Sequence, residues 1–297
     1  MVSGALACAA AARGKQVCLA EVAGSETQAA LFDADPVGYI GGPLAPSIRG
    51  VSINPADAVE EYLVRMLRFR LLYELVFRNR YIAPFLNGVM GLSDLITVGK
   101  VMDLEWEGLD GPADDDPAAE RRYDLVVVDG PATGHGVSLL RAPQAMMDVT
   151  RVGPLHANAK LIRDLLADRD KTAVVLVTLA EEMPVNETIE LARALADRVD
   201  VQVAGVVVNA VAPPLLTGPA ADAWPAVAKA GRAAGGDAAA AVEDAARAIR
   251  DRERADGYVH RLRDELALPV LELPLLSPGD IGADGLGTLA TALEAWL

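Results

Sequence analysis

An acidic residue follows a strongly apolar strand candidate. Residues Tyr123–Val128 have the composition of a buried strand, and Asp129 comes directly after them. A carboxylate at the carboxyl end of such a strand can hold Mg²⁺ beside a nucleotide phosphate, usually through water. It can equally form a turn or cap the next helix. The residues alone leave both roles open for Asp129.

The loop after Asp129 contains three glycines. It reads Gly-Pro-Ala-Thr-Gly-His-Gly over residues 130–136, and a helical pattern over Gly136–Thr150 follows it. Glycines would leave this loop free to change conformation when a terminal phosphate is present. Thr133, Gly134 and His135 are therefore candidates for a phosphate-responsive segment, although His135 also fits an ordinary loop histidine.

Strand-like and helix-like segments alternate over most of the chain. The strand candidates are nearly continuous runs of Val, Leu and Ala, which is typical of strands buried on both faces. They are Gln16–Val22, Leu125–Asp129, Ala173–Leu179, Val203–Asn209 and Val270–Leu273, and the helix candidates besides the first are Gly136–Thr150, Ala157–Ala167, Pro184–Asp197 and Ala238–Leu266. This alternation predicts an α/β fold with a doubly wound, mostly parallel sheet, and active sites in such sheets lie at the carboxyl ends of the strands.

Residues 55–104 interrupt the alternation with about fifty residues of helical periodicity, estimated from the apolar spacing. Five arginines, Arg65, Arg68, Arg70, Arg78 and Arg80, make this segment less acidic than the chain as a whole. It is predicted to be a helical subdomain. It either packs on the sheet as ordinary structure or presents a groove for an apolar or acidic ligand.

Composition excludes several classes of function. The 297 residues carry a net charge of −15, which argues against nucleic-acid binding. Cys8 and Cys18 form no metal-binding pair, so they indicate small buried residues rather than ligands. No apolar run reaches the length of a membrane span. We therefore expect a cytoplasmic protein without an integral membrane segment.

The segment that begins at Asp129 resembles the signature D-T-A-P-T-G-H-T-x-R-x-L of the ArsA family of anion-transporting P-loop ATPases. Six residues match: Asp129, Pro131, Thr133, Gly134, His135 and Leu140. Gly130 stands where threonine is usual, and the order Gly130-Pro131-Ala132 scrambles the T-A-P of the family. Further segments resemble the family in the same order along the chain, namely Gly91–Lys100, Val174–Thr188, Gly205–Asn209 and Leu268–Leu276. The resemblance extends over nearly the whole chain.

The resemblance implies a P-loop NTPase fold formed as one domain over residues 1–297, with the helical subdomain 55–104 within it. It implies ATP and Mg²⁺ as cofactors. Asp129 would hold the metal and act in catalysis with Thr133, Gly134 and His135, and Asn209, Pro274 and Leu275 would bind the nucleotide. It further implies a homodimer or a heterodimer with a paralogue, and an apolar or acidic protein client bound by the helical subdomain.

Two departures from the family bear on activity. The motif G-K-G-G-V-G-K-[ST], which supplies phosphate-binding N–H groups and a lysine, does not occur, and by resemblance it would precede Met1. We therefore expect about 15–25 further in-frame residues upstream, one strand plus the loop. The chain as written is expected to be inactive.

The second departure is Ala23, which occupies the family's position for the aspartate that helps to activate water. Glu21 or Glu26 could supply a base instead. Two functions remain open: an ATP hydrolase that moves its helical subdomain, or a degenerate homologue that acts as a regulatory or structural partner of a complete paralogue.

Overall fold

The structure, a computed structural model, describes residues 1–22, 26–67, 91–106, 122–294 and 296. It confirms an α/β fold in which parallel strands alternate with helices. In the described residues the strands form two sheets, one of four strands and one of three. The chain divides into two compact units. The first comprises Met1–Val174, Arg193–Gln202 and Ser277–Leu297, and the second comprises Val175–Ala192 and Val203–Leu276.

The elements are numbered in chain order. The strands are β1 (Val17–Val22), β2 (Gly42–Ala45), β3 (Ile48–Ile53), β4 (Leu125–Asp129), β5 (Val174–Leu179), β6 (Val203–Val211) and β7 (Val270–Pro274). The described helices are α1 (Val2–Ala12), α2 (Thr27–Leu31), α3 (Pro55–Leu67), α4 (Leu92–Glu105), α5 (Thr133–Val149), α6 (Pro154–Ala167), α7 (Glu182–Arg198), α8 (Pro219–Ala234), α9 (Gly236–Leu266) and α10 (Ala283–Leu293).

The sheet of the first unit has the strand order β2-β3-β1-β4. Strand β1 lies inside the sheet, and all six of its residues are buried. It pairs in parallel with β3 on one side and with β4 on the other, whereas β2 joins β3 antiparallel. The register places Glu21 of β1 beside Asp129 of β4. The polar ends of two neighbouring strands therefore meet at the same edge of the sheet.

Small residues allow helix α1 to pack closely. Gly4, Ala5, Ala7, Ala9 and Ala10 are buried on it, and α1 packs against α10, β1 and β4. A second apolar cluster joins α4, α5 and α6 through residues such as Leu95, Leu139 and Ile162. Helices α2 and α5 begin shortly after the ends of β1 and β4, the strands that precede them in the chain.

The second unit contains a sheet of order β5-β6-β7. Strands β6 and β7 are parallel, and Val206, Val207 and Val208 are fully buried between their neighbours. Helix α9 is tied to this sheet by ion pairs. Arg252 contacts Glu272 of β7 at 3.0 Å and Asp256 of its own helix at 2.6 Å. These contacts raise the pKa of Arg252, chiefly through the hydrogen bond to Asp256.

The structure differs from the sequence predictions in three segments. Strands β2 and β3 were not predicted. Residues 219–234 form helix α8, which is not among the helix candidates given above, and α5 begins at Thr133 rather than Gly136. Much of the predicted helical insertion (68–90) and most of the acidic segment 110–122 lie outside the described residues. Within the described part of the chain, no helix has both the length and the apolar character to span a membrane.

Candidate active site

Two carboxylates lie side by side where β1 and β4 end. Glu21 and Asp129 are register neighbours on these parallel strands. Side chains at equivalent register positions of adjacent strands point to the same face of the sheet. Unscreened carboxylates this close would repel each other, so each needs partners that stabilise its charge. The structure gives them different partners.

Glu21 accepts hydrogen bonds from the start of helix α2. Its side chain accepts hydrogen bonds from the backbone N–H of Thr27 at 3.2 Å, from the Thr27 hydroxyl at 2.7 Å and from the backbone N–H of Gln28 at 3.2 Å. The N–H groups of a first helical turn lack partners within the helix, and a negative charge there is favourable. Glu21 therefore caps α2, and only 5% of it is exposed.

This arrangement bears on which glutamate could act as a base. Glu21 is buried and occupied by α2, so it is poorly placed to accept a proton from water. Glu26, at the N-cap position of α2, has a left-handed backbone (φ 54°), and its side chain does not cap the helix. Ala23, the other position singled out in the sequence, lies outside the described residues.

Asp129 is bound by a glutamine that the sequence analysis did not identify. Gln28, in the first turn of α2, donates from Nε2 to Asp129 Oδ2 at 2.5 Å and to Ser3 Oγ at 3.0 Å. Ser3 belongs to the first turn of α1. The amide thus connects α2, β4 and α1. No sequence signal points to this contact, since Gln28 and Asp129 are 101 residues apart.

The residues Thr133, Gly134 and His135 form the first turn of α5 instead of a loop before it. Ala132 is the N-cap, with extended backbone and no side-chain hydrogen bond to the turn. Gly134 and His135 are exposed, and a side chain at Gly134 would meet no neighbouring atom within 4 Å. A helix N-terminus whose N–H groups are not capped by a side chain favours an anion such as phosphate.

Asn209, Pro274 and Leu275 come together in the second unit. Asn209 lies near the carboxyl end of β6 where the register with β7 shifts between Val208 and Val211, and the next residue, Ala210, has a φ of 57°. Such a bulge redirects side chains at the end of a strand. Pro274 pairs with Val211, and the N–H of Leu275 donates to Val211 at 2.9 Å. Leu275 is 55% exposed.

The polar groups around Asp129 suit a magnesium ion. Asp129, Ser3 and Gln28 carry oxygen atoms, which Mg²⁺ prefers to nitrogen or sulfur. Mg²⁺ needs only one or two protein carboxylates, because it keeps several waters. The carbonyl Oε1 of Gln28 is buried, and no described residue donates to it. No group of three or more His, Cys, Asp or Glu side chains capable of holding a metal occurs among the described residues.

The cysteines offer no soft-metal site. Cys8 lies half-buried in α1, and burial raises the pKa of its thiol. Cys18 is fully buried in β1. A thiol with a raised pKa is a poor metal ligand, because the thiolate is the binding form.

Helices α3, α4 and α6 border an apolar cleft of about 390 Å³ in the first unit. At one end Lys100 Nζ lies 2.8 Å from Glu61 Oε2 and 4.7 Å from the centre of the Tyr39 ring, and the Tyr39 hydroxyl donates to Glu61. The apolar walls include Leu95, Ile96, Met102, Trp106, Leu155 and Ile162. The volume falls within the range of small-ligand pockets, and the cleft would also admit a few apolar side chains of a protein.

Comparison with known proteins agrees with this architecture. Residues 151–216 match the sequence model of the anion-transporting ATPase (ArsA) family. The chain is 31% identical over 214 residues, 70% of its length, to the ATPase BagA of Mycobacterium tuberculosis. Proteins of a second M. tuberculosis strain and of Mycobacterium bovis match with the same identity and the same coverage. The match spans 60% of the length of these relatives. The family match and the relatives together support an ATPase of the ArsA type.

Proposed function

We propose that this protein hydrolyses ATP with Mg²⁺ at the carboxyl ends of β1 and β4. The observation that carries the proposal is the position of Asp129, which ends the parallel strand β4, lies beside Glu21 and is held by Gln28. Bound Mg²⁺ would neutralise charge on the transferred phosphoryl group. Asp129 would hold the hydrated cation, with Ser3 and Gln28 as neighbouring oxygen donors.

The first turn of α5 would face the phosphates in this proposal. Thr133, Gly134 and His135 present backbone N–H groups at a helix N-terminus, where the helix dipole attracts negative charge. The open space around Gly130 and Gly134 would let the nucleotide approach the backbone. Asn209, Pro274 and Leu275, gathered at the ends of β6 and β7, would bind the nucleotide base.

Helices α3 and α4 would carry the protein client. The support is the apolar cleft between α3, α4 and α6, together with the apolar, arginine-containing character of the segment 55–104. We propose that the working unit is a homodimer or a heterodimer with a paralogue, and that nucleotide binding moves the helical subdomain. A nucleotide can drive such a movement only if it binds the two conformations with different affinity.

The proposal is tested by replacing Asp129 with asparagine in the full chain that the gene encodes. Hydrolysis of Mg-ATP should fall by at least ~10²-fold, the order expected when a charge-stabilising group is lost. Binding of the nucleotide should fall less, because other groups contact it. The measurement is phosphate release at saturating Mg-ATP, together with nucleotide affinity by calorimetry.

Asp124 provides a matched control at the other end of the same strand. Its carboxylate is exposed and accepts from the backbone N–H of Gln16 at 2.8 Å. Asp124 directly precedes β4, and the substitution Asp124→Asn removes the same charge at the end of the strand opposite the site, so turnover should stay within about twofold. Equal turnover of wild type and Asp129→Asn would show that Asp129 only forms a turn.

A second candidate function is a non-catalytic partner of a complete paralogue. The engagement of Glu21 by α2 favours it, since this glutamate is not available as a base. The same assay separates the two functions. A partner subunit should show no phosphate release alone, and Asp129→Asn would then leave the activity of the mixed complex unchanged.

A further inference from the structure

Gln28 is a buried amide with an unusual set of contacts. Only 4% of the residue is exposed. Its Nε2 donates to Asp129 Oδ2 at 2.5 Å and to Ser3 Oγ at 3.0 Å, so both amide hydrogens are used. The orientation of the amide follows from these contacts, because a carbonyl facing the carboxylate would be repelled. One oxygen of Asp129 is therefore fixed by a neutral donor.

The other half of the same amide is unsatisfied. Oε1 of Gln28 is buried, and no residue in the described part of the chain donates to it. It faces the first turn of α1, where a Cβ built on Gly4 would come within 3.1 Å of it. Buried polar atoms nearly always pair with protein or with ordered water. Within the described part of the chain, this oxygen is thus left for a donor such as water.

We propose that Gln28 is a positioning residue of the metal site, an inference that rests on the proposed function. Its N–H groups orient the carboxylate of Asp129 so that Oδ1 stays available. Its Oε1 accepts a hydrogen bond from a water molecule of the hydrated divalent cation. A neutral amide is the side chain suited to both tasks, since it donates and accepts in one plane. A carboxylate there would be a third acidic group beside Glu21 and Asp129.

The contacts of Gln28 indicate why a glutamine occupies the first turn of α2. The backbone N–H of Gln28 donates to Glu21, so the start of α2 contacts both acidic side chains. Any movement of α2 would change the orientation of Asp129 through the amide. A glutamine that only filled space would instead contribute the same amount to the free energy of unfolding with and without a bound cation.

The test uses the full chain with Mn²⁺ as a paramagnetic replacement for Mg²⁺. Binding is followed by electron paramagnetic resonance of the free ion for the wild type, Gln28→Leu and Asp129→Asn. Leucine keeps the approximate volume but removes the donors and the acceptor. We expect Gln28→Leu to weaken Mn²⁺ binding by at least ~10-fold, the loss expected when a buried hydrogen-bonding group is removed from a charged site. Asp129→Asn should weaken it more.

Thr97→Val is the matched control. The Thr97 hydroxyl is buried and donates to the backbone oxygen of Ser93 at 2.8 Å in α4, away from the site. This variant also loses a buried hydrogen bond in the first unit, so it should be destabilised while its affinity for Mn²⁺ stays at the wild-type value. A drop in affinity in both variants would indicate a general loss of structure and would overturn the inference.

A second measurement avoids the risk that Gln28→Leu does not fold. The side-chain amide resonance of Gln28 is recorded in ¹⁵N-labelled wild-type protein during titration with Mg²⁺. We expect a saturable shift that disappears in Asp129→Asn. Unchanged Mn²⁺ affinity in Gln28→Leu, or an amide signal indifferent to Mg²⁺ that binds at Asp129, would overturn the inference and leave the proposed function intact. If the wild type and Asp129→Asn bind Mn²⁺ equally, the proposed metal site fails and the inference fails with it.

Discussion

At the scale of single residues, one pair of acidic side chains shows how neighbours of similar chemistry acquire different roles. Glu21 and Asp129 occupy equivalent positions on adjacent strands. Glu21 is buried and accepts three hydrogen bonds from the start of α2. Asp129 is half-buried and accepts one from Gln28. The first arrangement is structural, and the second leaves a carboxylate oxygen available to a ligand.

This assignment predicts that Glu21 contributes mainly to stability. Glu21→Ala would leave the N–H groups of Thr27 and Gln28 without their acceptor, at a cost of about 1–3 kcal/mol in the free energy of unfolding. Glu21→Gln keeps one carbonyl oxygen and should cost less. Urea unfolding followed by circular dichroism measures both values. Glu26→Gln is the control, expected within about 0.5 kcal/mol, since that side chain does not cap α2.

The site could be predicted from the sequence only in part, for a physical reason. Asp129 follows a continuous apolar strand, and such a local pattern is visible in the chain. The contacts of Gln28 with Asp129 and Ser3 depend on how α1, α2 and β4 approach one another, and no local pattern encodes that approach. The same applies to Glu21, whose capping role becomes apparent only when the start of α2 is located.

At the scale of elements, composition explains which segments were predicted. Strands β1, β4 and β5 are apolar runs and were predicted within one residue at each end. Strand β2 is short and contains Pro43, and β3 contains Gly50, residues that usually weaken strands. Helix α8 begins with Pro219 and contains Pro225, and prolines are typical of loops. Pro219 nevertheless occupies the first turn of α8, where proline is tolerated.

The start of α1 offers a prediction about packing. A methyl group on Gly4 would lie 3.1 Å from Gln28 Oε1, 3.1 Å from Leu286 Cδ2 and 3.3 Å from Phe32 Cε2. Glycine to alanine normally stabilises a helix by about 0.5–1 kcal/mol. Here the crowding should outweigh that gain, so we expect Gly4→Ala to lower the free energy of unfolding by about 1–2 kcal/mol.

Gly287 in α10 is the matched position for this experiment. A Cβ there would meet no neighbouring atom within 4 Å, and the residue is exposed. Gly287→Ala should therefore raise the free energy of unfolding by about 0.5–1 kcal/mol. Urea unfolding should show that the free energy of unfolding changes in opposite directions in the two variants. Stabilisation by both substitutions would mean that α1 has room for a side chain at Gly4.

At the scale of the whole molecule, the two compact units carry different parts of the proposed site. The first holds Asp129, Gln28 and the start of α5, together with the apolar cleft beside α3 and α4. The second holds Asn209, Pro274 and Leu275. The proposed phosphate and metal contacts thus lie in the first unit, and the proposed base contacts lie in the second.

Hydrogen exchange on the full chain, with and without Mg-ATP, tests this expectation. Protection should change in α3, in α4 and in residues 129–136, because the nucleotide would bind at Asp129 and move the helical subdomain. The centre of β6 should stay protected in both states, since Val206–Val208 are fully buried. Asp129→Asn serves as the control, and its response to Mg-ATP should be much smaller. If protection changes only in residues 129–136, α3 and α4 are ordinary packing helices, and the client surface lies elsewhere on the molecule.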